Sequence, residues 1–143
     1  MVKIIGEIMK LLPLRYPYLL IDRVIEFTEE RVTALKNVTI NEPFFQGHFP
    51  EPLPLLMPGT LILEAMAQTA AILITKERTP GYLVGVDKAR FKQPVIPGDQ
   101  LILQALALRK KDGLLKAEVH ASVNDKIVAT ATVTVMRNKK TNE

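Results

Sequence analysis

The residues best suited to chemistry in this sequence are a histidine and a carboxylic acid that lie near each other in the chain. His48 stands in residues 41–59, which hold five of the ten prolines and are too proline-rich for regular structure. Glu64 follows in an apolar run that has the length and spacing of a buried helix, with Gln68 one turn further along the same face. We expect a functional loop that places His48 beside the start of this helix.

These groups suit one class of reaction. A neutral histidine can remove a proton alpha to a carbonyl. The N–H groups of Gly59 and Thr60, at the predicted helix start, can bind the oxyanion that develops. A carboxylic acid that keeps its proton in an apolar site can protonate a departing hydroxyl, which is a role for Glu64. The combination favours dehydration of a 3-hydroxyacyl compound.

Plainer interpretations of both residues are open at this point. Glu64 can pair with a Lys or Arg of a neighbouring strand, since structural ion pairs are common. His48 can be a loop histidine that hydrogen-bonds to the backbone. His120, the other histidine, alternates with apolar residues and is expected on the solvated face of a strand.

Several kinds of site are excluded by residue content. The chain has no cysteine, so disulfides and thiolate ligands are absent. A zinc site needs three or four protein ligands, and one histidine with one glutamate is too few. There is no GxSxG, GxGxxG or GxxxxGK[ST] motif. We expect neither a metal nor a cofactor.

The elements that must position these residues indicate an α+β fold. The patterns predict an N-terminal helix over residues 1–12, the apolar helix over 57–76 and a polar, flexible tail over 138–143. Predicted strands are residues 18–27, 31–40, 81–93, 101–110, 114–123 and 127–137. With one long apolar helix, we expect a single domain over 1–143 in which an antiparallel sheet wraps around that helix. An unpaired edge strand would favour a dimer or a higher oligomer.

Charge is distributed unevenly along the chain. The net charge is +4, and residues 81–143 hold eleven Lys and Arg against six Asp and Glu. Such a basic half suits an acidic partner, whereas the few aromatics and the lack of known reader motifs argue against nucleic acid. Charges interrupt the apolar residues of the N-terminal segment, so we expect no signal peptide there. The apolar run that holds Glu64 is too short and carries a charge near its start, so we expect no membrane span. The absence of disulfides fits a cytoplasmic location.

Four segments carry a resemblance to a known family. LPLRYPYLLIDRV, NVTINEPFFQGHFP, MPGTLILEAMAQ and DKARFKQPVIPGDQL together resemble the FabZ-type (3R)-3-hydroxyacyl-[acyl-carrier-protein] dehydratases, over about residues 10–137. The resemblance implies a hot-dog fold and a homodimer whose two active sites lie at the subunit interface. Such dimers commonly assemble into hexamers as trimers of dimers. It also implies fatty-acid elongation as the process and acyl carrier protein as the acidic partner.

The resemblance also implies roles for individual residues. His48 of GHFP would be the base, and Glu64 of LEAMAQ, from the other subunit, would act on the hydroxyl. Gly59 would offer its N–H group to the thioester carbonyl, Gln68 would orient Glu64, and Phe91 would line the acyl tunnel.

Two positions depart from the family pattern. Leu14 replaces the histidine usually found in LPHRYP, and the segment 51–57 is about two residues longer than the family pattern and is rich in Pro and Leu. The alternatives that stay open are a dehydratase that also isomerises its product, an acyl-thioesterase, and a non-catalytic acyl-binding protein of the same fold.

Overall fold

The structure is a computed structural model, and it describes residues 2–49, 51–76 and 79–137. In chain order the elements are α1 (Ile5–Leu11), β1 (Arg23–Phe27), β2 (Arg31–Asn37), a short 3₁₀ helix (Pro43–Gln46), α2 (Gly59–Ala71), β3 (Gly81–Phe91), β4 (Gln100–Lys111), β5 (Leu114–Val123) and β6 (Lys126–Arg137).

The six strands form one antiparallel sheet in the order β1-β2-β4-β5-β6-β3. Helix α2 lies on one face of this sheet and contacts β2, β3, β4, β5 and β6. A single apolar helix held against a broad antiparallel sheet is the predicted α+β, hot-dog arrangement, so the fold-class prediction is confirmed.

Side-chain alternation explains how the helix approaches the sheet so closely. In β5 the inward residues are Leu115, Ala117, Val119 and Ala121, all of which are buried, while the residues between them face the other side. Many inward positions of the central strands are alanine, and their small side chains leave room for larger ones from the helix. Ile62 and Met66 of α2 are buried in this core.

Two tight turns connect the strands of the central meander. Asp112 and Gly113 have φ angles of 51° and 80°, and Asn124 and Asp125 have φ angles of 50° and 66°. Positive φ at both central residues is the geometry of a type I′ hairpin, which favours asparagine, aspartate and glycine. The hairpins predicted from these residues are therefore confirmed.

Several predicted boundaries are wrong. Helix α2 begins at Gly59 and ends at Ala71, short of the predicted 57–76, because the N–H groups of Leu73 and Ile74 bond to carbonyls three positions back and interrupt the helical pattern. The N-terminal helix covers Ile5–Leu11 rather than 1–12, and the strand predicted over 18–27 covers only Arg23–Phe27. The predicted tail, 138–143, lies outside the described residues.

The edges of the sheet are β1 and β3. Edge strand β3 exposes apolar side chains along its length: Tyr82, Leu83, Val84, Val86 and Phe91. Within the described ranges, neither helix has the length and apolar character that crossing a bilayer requires.

Candidate functional site

His48 is held in place at both its backbone and its ring. Its N–H group donates to the carbonyl of Phe44 in the 3₁₀ helix, at 3.0 Å. The ring atom Nδ1 lies 2.7 Å from the carbonyl oxygen of Leu56, and the Leu56 N–H group donates to the His48 carbonyl at 3.3 Å. Because a carbonyl oxygen can only accept, Nδ1 carries the proton in this contact and Nε2 is the basic nitrogen of the neutral ring.

His48 shares a cavity with the start of α2. The cavity has a volume of about 310 Å³, and Gly59, Phe91 and Lys92 are among the residues that line it. Gly59 is the first residue of α2, where backbone N–H groups have no acceptor within the helix. A Cβ atom on Gly59 would lie 3.2 Å from Cδ1 of Phe91, so the phenyl ring packs directly against the glycine. The structure thus brings His48, Gly59 and Phe91 together.

Glu64 and Gln68 form a second group on α2. The Gln68 Nε2 atom donates to Oε2 of Glu64 at 2.8 Å and also to the carbonyl of Tyr18 at 2.7 Å. Its Oε1 atom accepts the N–H of Leu20 at 2.9 Å. Gln68 is only 3% exposed. A buried amide with both ends bonded to the backbone is fixed in orientation, and it fixes the half-buried Glu64 carboxyl in turn.

The ion-pair interpretation of Glu64 finds no support within the part of the chain that is described. There, no Lys or Arg nitrogen lies within 4.0 Å of the Glu64 carboxyl, and both recorded salt bridges belong to Lys36. The carboxyl therefore has an amide as its neighbour in the described ranges. Nor do these ranges contain a cluster of three or more His, Asp or Glu side chains that could bind a metal ion.

Glu64 lines a cavity of its own. It has a volume of about 260 Å³ and runs from Glu64 past Ala67 and Ala71 toward the beginning of β3, and Leu14 forms part of its wall. Most of its lining is apolar: Leu12, Pro13, Leu14, Ala67, Ala71, Pro80, Gly81, Tyr82, Leu83 and Val135. Leu14, the departure from the LPHRYP pattern noted in the sequence, contributes an apolar side chain to this wall.

Within the chain, His48 and Glu64 lie on opposite sides of α2. Ile62 lines the His48 cavity, whereas Glu64 lines the other one. Side chains two positions apart on an α-helix, such as those of Ile62 and Glu64, are separated by a rotation of about 200° around the helix axis. The chain therefore does not bring its own His48 and Glu64 to one cavity.

The basic residues of the positively charged half, residues 81–143, have different environments. Lys88 and Lys92 are exposed, and Lys92 borders the His48 cavity. Arg137 is half-buried, and its guanidinium donates to the carbonyl of Ile74 at 3.2 Å. Arg137 thus anchors the chain just after α2. Lys139 and Lys140 lie outside the described residues.

His120 is half-buried, whereas the sequence predicted a solvated position. Its Nε2 atom is hydrogen-bonded to the side chain of Gln104, its partner in the β4–β5 ladder. Burial lowers the pKa of His120 from its ordinary value of 6.5, and the charge of Glu118 partly offsets that effect.

The main features that sequence reasoning missed are backbone groups. The carbonyl of Leu56 fixes the ring of His48, and the backbone of Tyr18 and Leu20 fixes Gln68. The first lies in the segment noted for its extra length, which was the available signal. The second lies in a segment that reads as a strand, and nothing in its pattern indicates a glutamine as its partner.

Comparison with known proteins assigns a family to this geometry. Residues 12–132 match the model of the FabA-like domain. The chain is 56% identical over 135 residues to the 3-hydroxyacyl-[acyl-carrier-protein] dehydratase FabZ of Polynucleobacter asymbioticus, covering 91% of this chain and 89% of that one. It is 50% identical over 134 residues to the enzyme of the same name from Streptococcus sanguinis, covering 91% and 94%. Among solved structures, the dehydratase heterocomplex ApeI:P from Xenorhabdus doucetiae matches with a TM-score of 0.79 at 18% identity, covering 93% of this chain and 91% of that one, which shows the shared fold.

Proposed function

Since the chain belongs to the FabA-like family and, within it, to the FabZ 3-hydroxyacyl-[acyl-carrier-protein] dehydratases, we propose that His48 and Glu64 are its catalytic residues. The enzyme is a hydro-lyase of fatty-acid biosynthesis. We propose as its reaction the conversion of (3R)-3-hydroxyacyl to trans-2-enoyl thioesters on acyl carrier protein, without a cofactor and in the cytoplasm.

The tautomer of His48 supports its role as the base. With Nδ1 donating to the Leu56 carbonyl, the lone pair of Nε2 is available for the proton alpha to the thioester carbonyl. As that C–H bond breaks, negative charge develops on the carbonyl oxygen. We propose that the N–H group of Gly59, which lines the same cavity at the start of α2, donates a hydrogen bond to this oxygen.

The contact between Gln68 and Glu64 supports the role of Glu64 as the acid. Because Gln68 donates to Oε2, that oxygen is an acceptor, and a proton on the neutral carboxyl belongs on Oε1. Transfer of this proton to the 3-hydroxyl group lets it leave as water while the carbon–carbon double bond forms. The reaction ends with a protonated His48 and an ionised Glu64, and transfer of one proton from His48 to Glu64, through solvent, restores both groups.

The separation of the two residues within one chain supports an active site shared between two chains. His48 and Glu64 line different cavities on opposite sides of α2, so neither cavity holds both groups. We propose that His48 of one protomer meets Glu64 of a second. Edge strand β3, with exposed residues such as Leu83 and Val84, is the surface through which we propose that the second copy joins. Assembly of such dimers into a hexamer stays a prediction.

Mixing inactive variants tests both the residues and the sharing. His48→Ala and Glu64→Gln should each lower the rate of crotonyl-thioester hydration at least about 100-fold, as expected for a lost general base or acid. In a random mixture about half of the dimers are mixed and each has one intact site, so about one quarter of the wild-type rate should return. Near-normal rates in either single variant would overturn the assignment. A mixture as inactive as its parts would overturn the shared site.

Analysis of the product by NMR separates a trans-2-enoyl product from an isomerised one.

Carrier protein docking is a second part of the proposal. Lys92 is exposed at the edge of the His48 cavity and Lys88 lies four residues before it, which suits an acidic carrier that delivers its thioester there. Lys92→Glu should raise KM for the carrier-bound substrate while leaving KM for a short thioester analogue unchanged. Lys116→Glu, in a separate cavity with Arg109, is the matched control. An equal rise for both substrates would contradict docking at Lys92.

A further inference from the structure

A buried lysine on the inner face of the sheet takes no part in the mechanism above. Lys36 is 7% exposed and follows Val32 and Ala34 in the inward row of β2. A lysine in such a position is costly to bury unless its charge is paired.

Two carboxylates from different segments surround the Lys36 ammonium group. Its Nζ atom lies 3.1 Å from Oε1 of Glu42 and 3.6 Å from Oδ2 of Asp22. Each carboxylate also binds the backbone, since the Asn37 N–H group donates to Asp22 at 2.7 Å and the Thr39 N–H group donates to Glu42 at 3.0 Å. The ammonium group therefore links the segment that ends at Asp22 to the segment that holds Glu42.

The Glu42 side of this cluster leads to His48. Glu42 immediately precedes the 3₁₀ helix, and its carbonyl accepts the N–H of Phe45 at 3.2 Å. The carbonyl of Phe44, in the same helix, accepts the N–H of His48 at 3.0 Å. A displacement of Glu42 would therefore be transmitted through one short helix to the catalytic base.

The Asp22 side leads to Glu64. Asp22 ends the segment whose Tyr18 and Leu20 backbone groups hold Gln68, and Gln68 in turn holds the Glu64 carboxyl. The N–H group of Asp22 donates to the carbonyl of Leu35 in β2 at 2.8 Å, so the segment is attached to the same strand that carries Lys36.

We propose that Lys36 is a positioning residue for both catalytic groups, acting on His48 through Glu42 and on Glu64 through Asp22. The inference rests on the proposed function. In a dimer with shared sites, the His48 and Glu64 of one chain belong to different active sites. Each Lys36 therefore sets the geometry of one half of each site.

Stability and positioning can be separated at this residue. Lys36→Met removes only the cation and leaves two carboxylates without their partner, which can strongly destabilise the fold. A displacement of a catalytic group by about 1 Å can lower a rate about 100-fold. A role in positioning therefore predicts a lower kcat in the variant even under conditions where it is fully folded.

The first experiment replaces Lys36 in the whole enzyme. Lys36→Met should lower kcat for a short thioester about 10- to 100-fold with KM nearly unchanged, at a temperature where circular dichroism shows the variant folded. Lys36→Arg, which keeps a cation between the two carboxylates, should recover most of the rate. An unchanged kcat in Lys36→Met, or an equally low one in Lys36→Arg, would overturn the proposal.

The second experiment places a substitution in one chain of a mixed dimer. One chain carries His48→Ala and supplies Glu64, the other carries Glu64→Gln and supplies His48, and two affinity tags isolate the pair. Asp22→Asn should lower the rate only in the chain that supplies Glu64. Glu42→Gln should lower it only in the chain that supplies His48.

The outcomes separate this inference from the proposed function. Equal losses in both placements indicate a general structural role, and no loss in any placement indicates no role, so either would overturn the proposal for Lys36. If the mixed dimer without a further substitution is inactive, the shared active site itself is wrong, and the inference falls with it.

Discussion

Gln68 gives the sharpest prediction, because its side chain makes hydrogen bonds to three groups that have no other recorded hydrogen-bond partner in the described chain. Gln68→Met keeps a long unbranched side chain and removes every hydrogen bond to the amide. The N–H of the buried Leu20 and the carbonyl of Tyr18 then lose their partner, as does the Glu64 carboxyl. An unsatisfied buried group costs about 1–3 kcal/mol, and the more exposed groups cost less, so we expect a loss of about 2–4 kcal/mol in the free energy of unfolding.

Two measurements check this prediction. Thermal unfolding should show a decrease in Tm of roughly 8–16 °C, since 1 kcal/mol corresponds to about 4 °C in a domain of this size. The rate of crotonyl-thioester hydration, measured where the variant is folded, should also fall about 10-fold, because Glu64 loses its fixed orientation. Gln100→Met is the control, since Gln100 makes its one recorded side-chain hydrogen bond, to Asn37, at the surface and should change stability by less than about 0.5 kcal/mol. If Gln68→Met is as stable and as active as this control, the argument for Gln68 is refuted.

Three further predictions follow from the two cavities and from His120. In the Ala71→Leu variant, the new side chain should extend along the Glu64 cavity toward the N-terminus of α2. It should reduce kcat/KM for long acyl chains by about fourfold per displaced methylene and leave kcat/KM for a four-carbon thioester unchanged. Equal losses at all chain lengths would contradict an acyl pocket there. Gly59→Ala places a methyl group 3.2 Å from Phe91 and should lower kcat about 10-fold, with retained activity arguing against a close approach of substrate to this backbone. Because burial lowers the pKa of His120 in the folded state, the folded protein binds fewer protons than the unfolded chain, so stability should fall as the pH drops below about 6.5. His120→Gln should weaken that pH dependence in denaturant unfolding, and an identical profile would contradict it.

Local patterns in the sequence were sufficient for the types of most elements. The strict alternation in β5 and the Asp112-Gly113 pair describe a hairpin within one short stretch of chain. The paired GHFP and LEAMAQ motifs were sufficient for the family, and the comparisons confirm it. Each of these signals is local, so it can be read without knowledge of distant contacts.

Boundaries were lost where a distant partner replaced a local one. Residues 18–22 have the composition of a strand, yet Tyr18 and Leu20 bond to Gln68 instead of to a neighbouring strand. Helix α2 ends at Ala71 although the apolar run continues. The end was not predictable from the apolar pattern, because hydrophobicity indicates burial and does not indicate which backbone carbonyl each N–H group bonds to.

By itself, the sequence determined the family and the candidate catalytic residues, since an imidazole and a carboxylic acid stand in its two recognisable motifs. The tertiary structure alone decided how they are held: the Leu56 carbonyl against His48, the amide of Gln68 against Glu64, and α2 between the two groups. The physical reason is that hydrogen-bond partners far apart in the chain produce no periodic pattern in the sequence. In addition, the surroundings that each side of a helix faces are fixed only when the helix packs against its sheet.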